Sequence, residues 1–324
     1  MAGTRRYTKK KKKQINIILS VVLAVIFSAY LLMAMSEELN FKYIPTLNQA
    51  ASAIENWGAP PEENADCKVH FIDVGQGDSI LIQSDGSNIL IDAGENDQGS
   101  VVVDYLKRQG VKKIDLLMMT HPHSDHIGGM DDVIQAFEIG QILMPRLPDS
   151  MVPTTRTYTD VLTAIAEKGL KITPAKPGRE YTFGKGKITV LGPSAEYEDL
   201  NDTSLVCRLD YQEKSFLFTG DMEKTAEADM MRSGKYNLDA DVLKVGHHGS
   251  HSSTSKDFYK EVTPDYAVIS VGDGNSYDHP HKETLKTLRD GGTEIYRTDY
   301  QGTIIFSISE GKFGIQTEKE STKQ

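Results

Sequence analysis

The chain has 324 residues, 39% of them hydrophobic, which is enough for a substantial core and excludes disorder throughout. Its formal charge of −10 hides an asymmetry: residues 1–36 hold seven Lys or Arg (Arg5, Arg6 and Lys9 to Lys13) and no acid, so the remainder is more acidic than the whole. Such a body repels polyanions unless a bound cation or a local basic patch offsets it, which argues against a protein that coats nucleic acid.

The uncharged run from Ile15 to Met35 has only Asn16, Ser20 and Ser28 as clearly polar interruptions. As a helix it is long enough to cross about 30 Å of hydrocarbon. A basic tail (1–14), a transmembrane anchor (15–36) and a juxtamembrane spacer (37–65) containing Pro60 and Pro61 are expected, followed by a folded domain over 66–324. The lysines before the anchor and Glu37 and Glu38 after it predict a single-pass protein of the cell membrane, with its N-terminus cytoplasmic and its domain outside. A cleaved signal peptide is the alternative, although its apolar region usually spans only about 7–15 residues. On the oxidising side Cys67 and Cys207 could pair, or they could be small buried hydrophobes in strands.

Within the domain, "KVHFIDVG", "SILIQS" and "NILIDAG" are β-rich runs separated by "QGD" and "DG", a strand meander. His70, inside the first run, reads as a packed, hydrogen-bonded core histidine. Helical spacing appears over 100–109 and stops at Gly110; strand "KIDLLMMT", a histidine-rich loop, a helix over 130–137 and strand "QILMP" then make a βαβ unit. The second half repeats the theme: a helix at 158–168, strand 187–191, the hairpin "SLVCRLDYQEKSFLFTGD" and a helix at 223–232. After these come "DVLKVG", helix "SKDFYKEV", strand "DYAVISVG", helix "KETLKTLRDG" and a closing pair, "EIYRTD" and "GTIIFSISEGKFGIQ". Helices covering two packed sheets are expected.

The loop "HPHSDHIGG" places His121, His123, Asp125 and His126 where a buried strand ends, so imidazoles and a carboxylate share one cleft. Pro122 and Gly128-Gly129 hold and then release the turn. Such donors bind Zn, Mn or Fe, and two groups of them on one loop can serve two ions. Apolar strands again end in ligand-type residues at Asp221 ("FLFTGD") and at His247 and His248 ("DVLKVGHHGS").

The ordered series "FIDVGQGDSILI", "LIDAG", "HPHSDH", "FTGD" and "VGHHGS" resembles the metallo-β-lactamase superfamily. With "NDTSLVCRL", "VISVGDGNSYDHP" and "IYRTDYQGTI" it is similar, more narrowly, to the extracytoplasmic metallo-hydrolase domain of ComEC-type competence proteins. The resemblance spans about Val69 to Phe306 and implies an α/β fold, an αββα sandwich with metals at the sheet edge. It implies two divalent ions, Zn or Mn. His121 and His123 are expected on the first, Asp125, His126 and His247 on the second, and Asp221 between them. Asp92 of "LIDAG" is expected behind the ligands, orienting their loop.

Most members supply another histidine before the bridging aspartate, yet none occurs between Gly128 and Asp221. Asn201, Asp202, Thr203 or Ser204 stands near that position, so the first site is expected to be weak and Mn²⁺ gains ground. Asn275, Tyr277 and His279 of "GNSYDHPH", together with His248, are candidate substrate contacts or replacement ligands.

The chemistry implied is hydrolysis by water activated between the ions, with Asp125 and Asp221 orienting it and His279 assisting the leaving group or phosphate. A phosphodiester is the expected substrate, either DNA or another surface phosphodiester. A non-catalytic surface binding module and a lactam or thioester hydrolase are the alternatives. No second apolar run of membrane-spanning length is present, so autonomous DNA translocation is not expected.

Overall fold

The computed structural model describes residues 65–319. The expected tail, anchor and nearly all of the spacer lie outside the described residues; among those described, no helix is long and apolar enough to cross a membrane.

The first sheet starts as an antiparallel meander of β1 (Cys67–Phe71), β2 (Ile80–Ser84) and β3 (Ser87–Ile91). It continues in parallel through β4 (Lys113–Met118), β5 (Glu138–Met144) and β6 (Ile172–Pro174). The second sheet repeats the pattern. Its antiparallel strands β7 (Glu180–Phe183), β8 (Gly186–Val190), β9 (Cys207–Tyr211) and β10 (Lys214–Phe218) lead into parallel β11 (Val242–Lys244), β12 (Tyr266–Ile269) and β13 (Glu294–Arg297). The chain then returns to the first sheet as the hairpin β14 (Ile304–Ser309) and β15 (Lys312–Thr317), completing the order β15-β14-β1-β2-β3-β4-β5-β6.

Strand alternation sorts the side chains into layers. Ile80, Ile82, Ile89, Ile91, Leu116 and Met118 enter the core between the sheets, joined by Phe216, Phe218 and Phe306 from other strands. The intervening Leu81, Leu90 and Leu117 point the other way, under α1 (Gly99–Arg108), α3 (Met130–Ala136) and α4 (Arg156–Glu167), as the two-residue period of a strand requires. Strands buried on both faces read as the unbroken apolar runs seen in the sequence. Each fully buried Ile or Leu contributes about 1.5–3 kcal/mol relative to exposure. On the far side, Met222, Ala226 and Met230, with Phe258, pack α5 (Lys224–Ser233) and α6 (Lys256–Val262) onto the second sheet, and Leu288 of α7 (Lys282–Asp290) packs on Ala267 and Ile269. The layering is αββα, as expected.

One expectation changes. "EIYRTD" and "GTIIFSISEGKFGIQ" do not pair with each other: β13 is an edge of the second sheet, and β14 crosses to β1 of the first. The short helix α8 (Thr298–Gln301), ended by Gly302 at φ 65, makes that crossing. Cys67 and Cys207 are free thiols buried in the inter-sheet core, the hydrophobe reading rather than a disulfide. His70 is the core histidine expected, with Nδ1 2.8 Å from the Tyr105 hydroxyl.

Candidate metal centre

Beyond β4 the chain runs through Thr120, His121, Pro122 and His123 into the short helix α2 (Ser124–Ile127). Gly128 lets this loop press on its neighbour, because a Cβ there would collide with the backbone of Glu95 and Asn96. Asp92, just past β3, gathers the loop. Its Oδ1 accepts from Thr120 N (2.8 Å), its Oδ2 accepts from Thr120 Oγ1 (2.6 Å), and His126 Nδ1 lies 2.7 Å from Oδ2. With Nδ1 engaged, His126 is left to present Nε2, the arrangement by which a carboxylate orients a ligating imidazole.

Asp221, following β10, is the hub. Its Oδ1 lies 3.2 Å from His126 Nε2, and its Oδ2 lies 3.6 Å from the Nε2 atoms of both His247 and His248 and 3.9 Å from that of His121. Four imidazoles thus surround one buried carboxylate. His248 Nε2 is also 3.2 Å from Asp125 Oδ2, and ligand-type atoms of Asp125, His126, Asp221 and His248 all lie within 4.8 Å of one another. His123 joins through His121, whose Nε2 is 3.0 Å from His123 Nδ1.

His126 Nε2 and Asp221 Oδ1, though 3.2 Å apart, make no aligned hydrogen bond with each other, and neither buried atom has another partner. Such orphaned atoms are uncommon because each one costs its lost solvation. A divalent cation bound by imidazole nitrogen and carboxylate oxygen satisfies both, so the donor set fits the two ions that the sequence implies.

The adjacent histidines diverge because both occupy the left-handed region, at φ 48 for His247 and 51 for His248, where non-glycine residues are uncommon. This turn buries His248 toward Asp125, with Nδ1 2.9 Å from Ser270 O. It leaves the His247 side chain 24% exposed, with Nδ1 3.0 Å from Glu223 Oε1. The tight group therefore holds His248 where the sequence reading put His247.

The four residues around the missing histidine separate cleanly. Asp202 Oδ1 accepts from Glu223 N (3.0 Å) and Ala226 N (3.3 Å) at the start of α5, Asn201 Nδ2 donates to Glu223 Oε1 (3.3 Å), and Thr203 Oγ1 bonds Leu200 O. Only Ser204 reaches the centre: its Oγ accepts from Asp221 N (3.1 Å) and lies 3.5 Å from His121 Nδ1.

The charges are interdependent in the metal-free protein. Burial opposes a charge on His126, yet Asp221, Asp125 and Asp92 hold its imidazolium well above the ordinary range. Burial likewise opposes ionisation of Asp221, and His126 and His248 overcome it, holding the carboxyl well below the ordinary range. Burial, reinforced by His126, drives His121 well below the usual histidine value.

A cleft of about 530 Å3 opens beside this group, bordered by Gln76, Glu95, His123, Asp125, Tyr277 and His279 among others. Asn275 does not line it. It clamps the loop that does, accepting at Oδ1 from Tyr277 N and His279 N (both 3.1 Å) and donating from Nδ2 to His279 O (2.7 Å) and Gly272 O (3.0 Å). Burial, with His247 and His248 nearby, lowers His279 to about 4.

Sequence reasoning passed over Asp78, Lys244 and Glu223. Lys244 Nζ lies 2.8 Å from Asp78 Oδ2 with both side chains buried, and Asp78 Oδ1 lies 3.5 Å from His248 Nδ1. The signal was available: a lysine inside the apolar run "DVLKVG" needs a buried partner.

The profile described as the metallo-β-lactamase superfamily matches residues 72–273. ComE operon protein 3 of Bacillus subtilis is 33% identical over 258 residues, covering 74% of this chain and 33% of the relative. Competence protein ComA of Neisseria gonorrhoeae is 31% identical over 258 residues, covering 78% and 34%. The chain thus spans about a third of the length of these relatives. Among solved structures, CmlA, a diiron β-hydroxylase from Streptomyces venezuelae, superposes with a TM-score of 0.52 at 13% identity over 82% of this chain and 60% of that one, a likeness of fold alone.

Proposed function

Because this chain belongs to the metallo-β-lactamase superfamily, we propose that its domain is a metal-dependent hydrolase of phosphodiesters, with DNA the first natural substrate to test. The observation that carries this reading is the buried Asp221 carboxylate among four imidazoles, with Asp125 beside it. A module that only bound a polymer would have no need of such a costly buried array. The competence proteins among the relatives support a DNA-related substrate.

Asp125, His126 and His248 would hold one ion, His121 and His123 the other, with Asp221 shared. His247 and Ser204, which also touch Asp221, would be the candidates for a further ligand. Zn²⁺ and Mn²⁺ both suit this mixed nitrogen and oxygen set. When bound, such ions activate water and neutralise charge developing on a phosphoryl oxygen. The protein's own groups do the rest. Asp92 fixes the His126 ring, Asp125 and Asp221 accept hydrogen bonds from the attacking water and orient it, and neutral His279 donates one N–H to a phosphoryl oxygen. In the same reading residues 15–36 anchor the domain on the outer face of the cell membrane, which the basic tail and the acids after the run support.

The test is turnover of bis(p-nitrophenyl) phosphate by the full chain, metal-stripped and then with Mn²⁺ or Zn²⁺ restored, beside Asp221→Asn. Metal-restored turnover that the variant lacks is the expected result. Inactivity of folded, metal-loaded protein on this ester, with turnover of a lactam or thioester instead, would overturn the proposal.

A further inference from the structure

The cleft has an unusual composition for a site facing a phosphodiester. Its ionisable border consists of Glu95, Asp125, Asp221 and imidazoles, and none of its lining residues is Lys or Arg. Arg156, between the bordering Thr155 and Thr157, has its side chain 93% exposed and paired with Asp160. A protein that tracks a nucleic-acid backbone neutralises phosphates with cationic side chains, and this cleft offers none.

It offers a stack of rings instead. Tyr277 is 62% exposed at the mouth, and its ring lies on His279 with centroids 5.6 Å apart and planes 26° apart. His279 lies on His248 in turn, at 6.5 Å and 29°. The stack therefore runs from solvent to the candidate metal centre, and its outermost face has no partner ring among the described residues. The Asn275 clamp, bonded to the backbone at positions 272, 277 and 279, holds this loop in place before any ligand arrives.

We infer that Tyr277 and His279 form a base-stacking subsite that takes an unpaired nucleobase of a single-stranded nucleic acid and so delivers the adjoining phosphodiester to the metal centre; this rests on the phosphodiesterase reading. Stacking needs a free π-face, which a single strand or frayed end presents and an intact duplex does not. It also accounts for an acidic cleft: base–aromatic contact needs no cation, and repulsion of flanking phosphates confines binding to a short segment. A single exposed tyrosine carries no such meaning alone; the aligned rings beneath it and the adjoining site do.

The test is calorimetric titration of the full, Mn²⁺-loaded chain with a single-stranded hexanucleotide joined by uncharged, hydrolysis-resistant methylphosphonate links. This ligand removes phosphate attraction to the lysine-rich tail and prevents cutting. The comparison ligand is the same backbone without bases. Tyr277→Ala is expected to weaken binding of the base-bearing strand roughly 5- to 150-fold, the span of stacking losses on alanine substitution. Tyr277→Phe keeps the ring and the affinity. The base-free chain should not distinguish the variants from wild type. Equal binding of the base-bearing strand by wild type and Tyr277→Ala overturns the inference, as does tighter binding of a blunt duplex than of the single strand. Turnover of bis(p-nitrophenyl) phosphate, measured in parallel, keeps the two ideas apart. No turnover with Tyr277-dependent binding defeats the hydrolase and upholds the subsite, and turnover with Tyr277-independent binding does the reverse.

Discussion

Replacing Lys244 with methionine isolates the ion pair buried beneath the candidate metal centre. Lys244 Nζ lies 2.8 Å from Asp78 Oδ2 and donates to Val245 O at 3.0 Å, in a position closed to solvent. Methionine keeps most of the apolar stem and removes the cation. Asp78 is then stranded, with its other oxygen already lacking a hydrogen bond. Breaking a buried pair from one side costs about 3–5 kcal/mol. In a domain of this size each kcal/mol shifts the melting temperature by about 2–4 °C, so the metal-stripped variant should melt roughly 6–20 °C lower. Adding Asp78→Asn removes the stranded charge, and the double variant should recover part of the loss, giving a measurable coupling in a double-mutant cycle. Urea and thermal unfolding followed by circular dichroism supply the numbers. A single variant within about 1 kcal/mol of wild type, the scale of a solvent-exposed pair, with no coupling to Asp78, would refute the reasoning.

Three further outcomes are expected. Asp92→Asn, which disturbs the grip on Thr120 and His126, should lower metal affinity about 10- to 100-fold by calorimetry while the domain stays folded; unchanged affinity would show that the loop orients itself. Gly77→Ala should destabilise by more than Gly75→Ala, since a Cβ at position 77 would fall on the Asp125 carbonyl oxygen, whereas at 75 it meets open space and bears only the strain of φ +68, about 1–2 kcal/mol; equal losses in urea melts would contradict this. In metal-free protein the raised His126 contributes stability fully below its unfolded value of about 6.5, and that contribution is lost as pH rises through its folded value. The lowered Asp125 and Asp221 keep their contributions across this range and lose them only as pH falls through their own folded values. The melting temperature in chelator should therefore decline above neutrality, and added Mn²⁺ or Zn²⁺, which requires neutral imidazole, should reverse the decline. A rise with pH in chelator is the contrary result.

The layers and the metal loop were legible for different reasons. Alternation in "SILIQS" and "NILIDAG" and unbroken apolar runs such as "KIDLLMMT" encode burial directly, and His121, Asp125, His126 and Asp221 do come together. What stayed hidden depends on backbone angles and distant partners. Two adjacent histidines give no hint of which ring turns inward, because the left-handed conformation at both is set by the surrounding fold. Of the "NDTS" residues, Asp202 looked as good a ligand as any, and only the placement of α5 shows it to be a cap. The return of β14 to β1 was equally unreadable, since an alternating strand carries no address for its neighbour.

That return shapes how the domain can be made. β1 emerges from the ribosome first among the described strands, yet one of its two ladders, from Cys67↔Ile308 to Phe71↔Ile304, cannot form until the last hairpin has been synthesised. Until then its open edge is a template for stray pairing, and Phe71 waits for Phe306, whose ring comes to lie 6.0 Å away edge to face. Non-local closure of this kind is slow and favours completion after synthesis rather than during it. A chain stalled short of residue 304 would present an unfinished edge to whatever chaperone or protease surveys it.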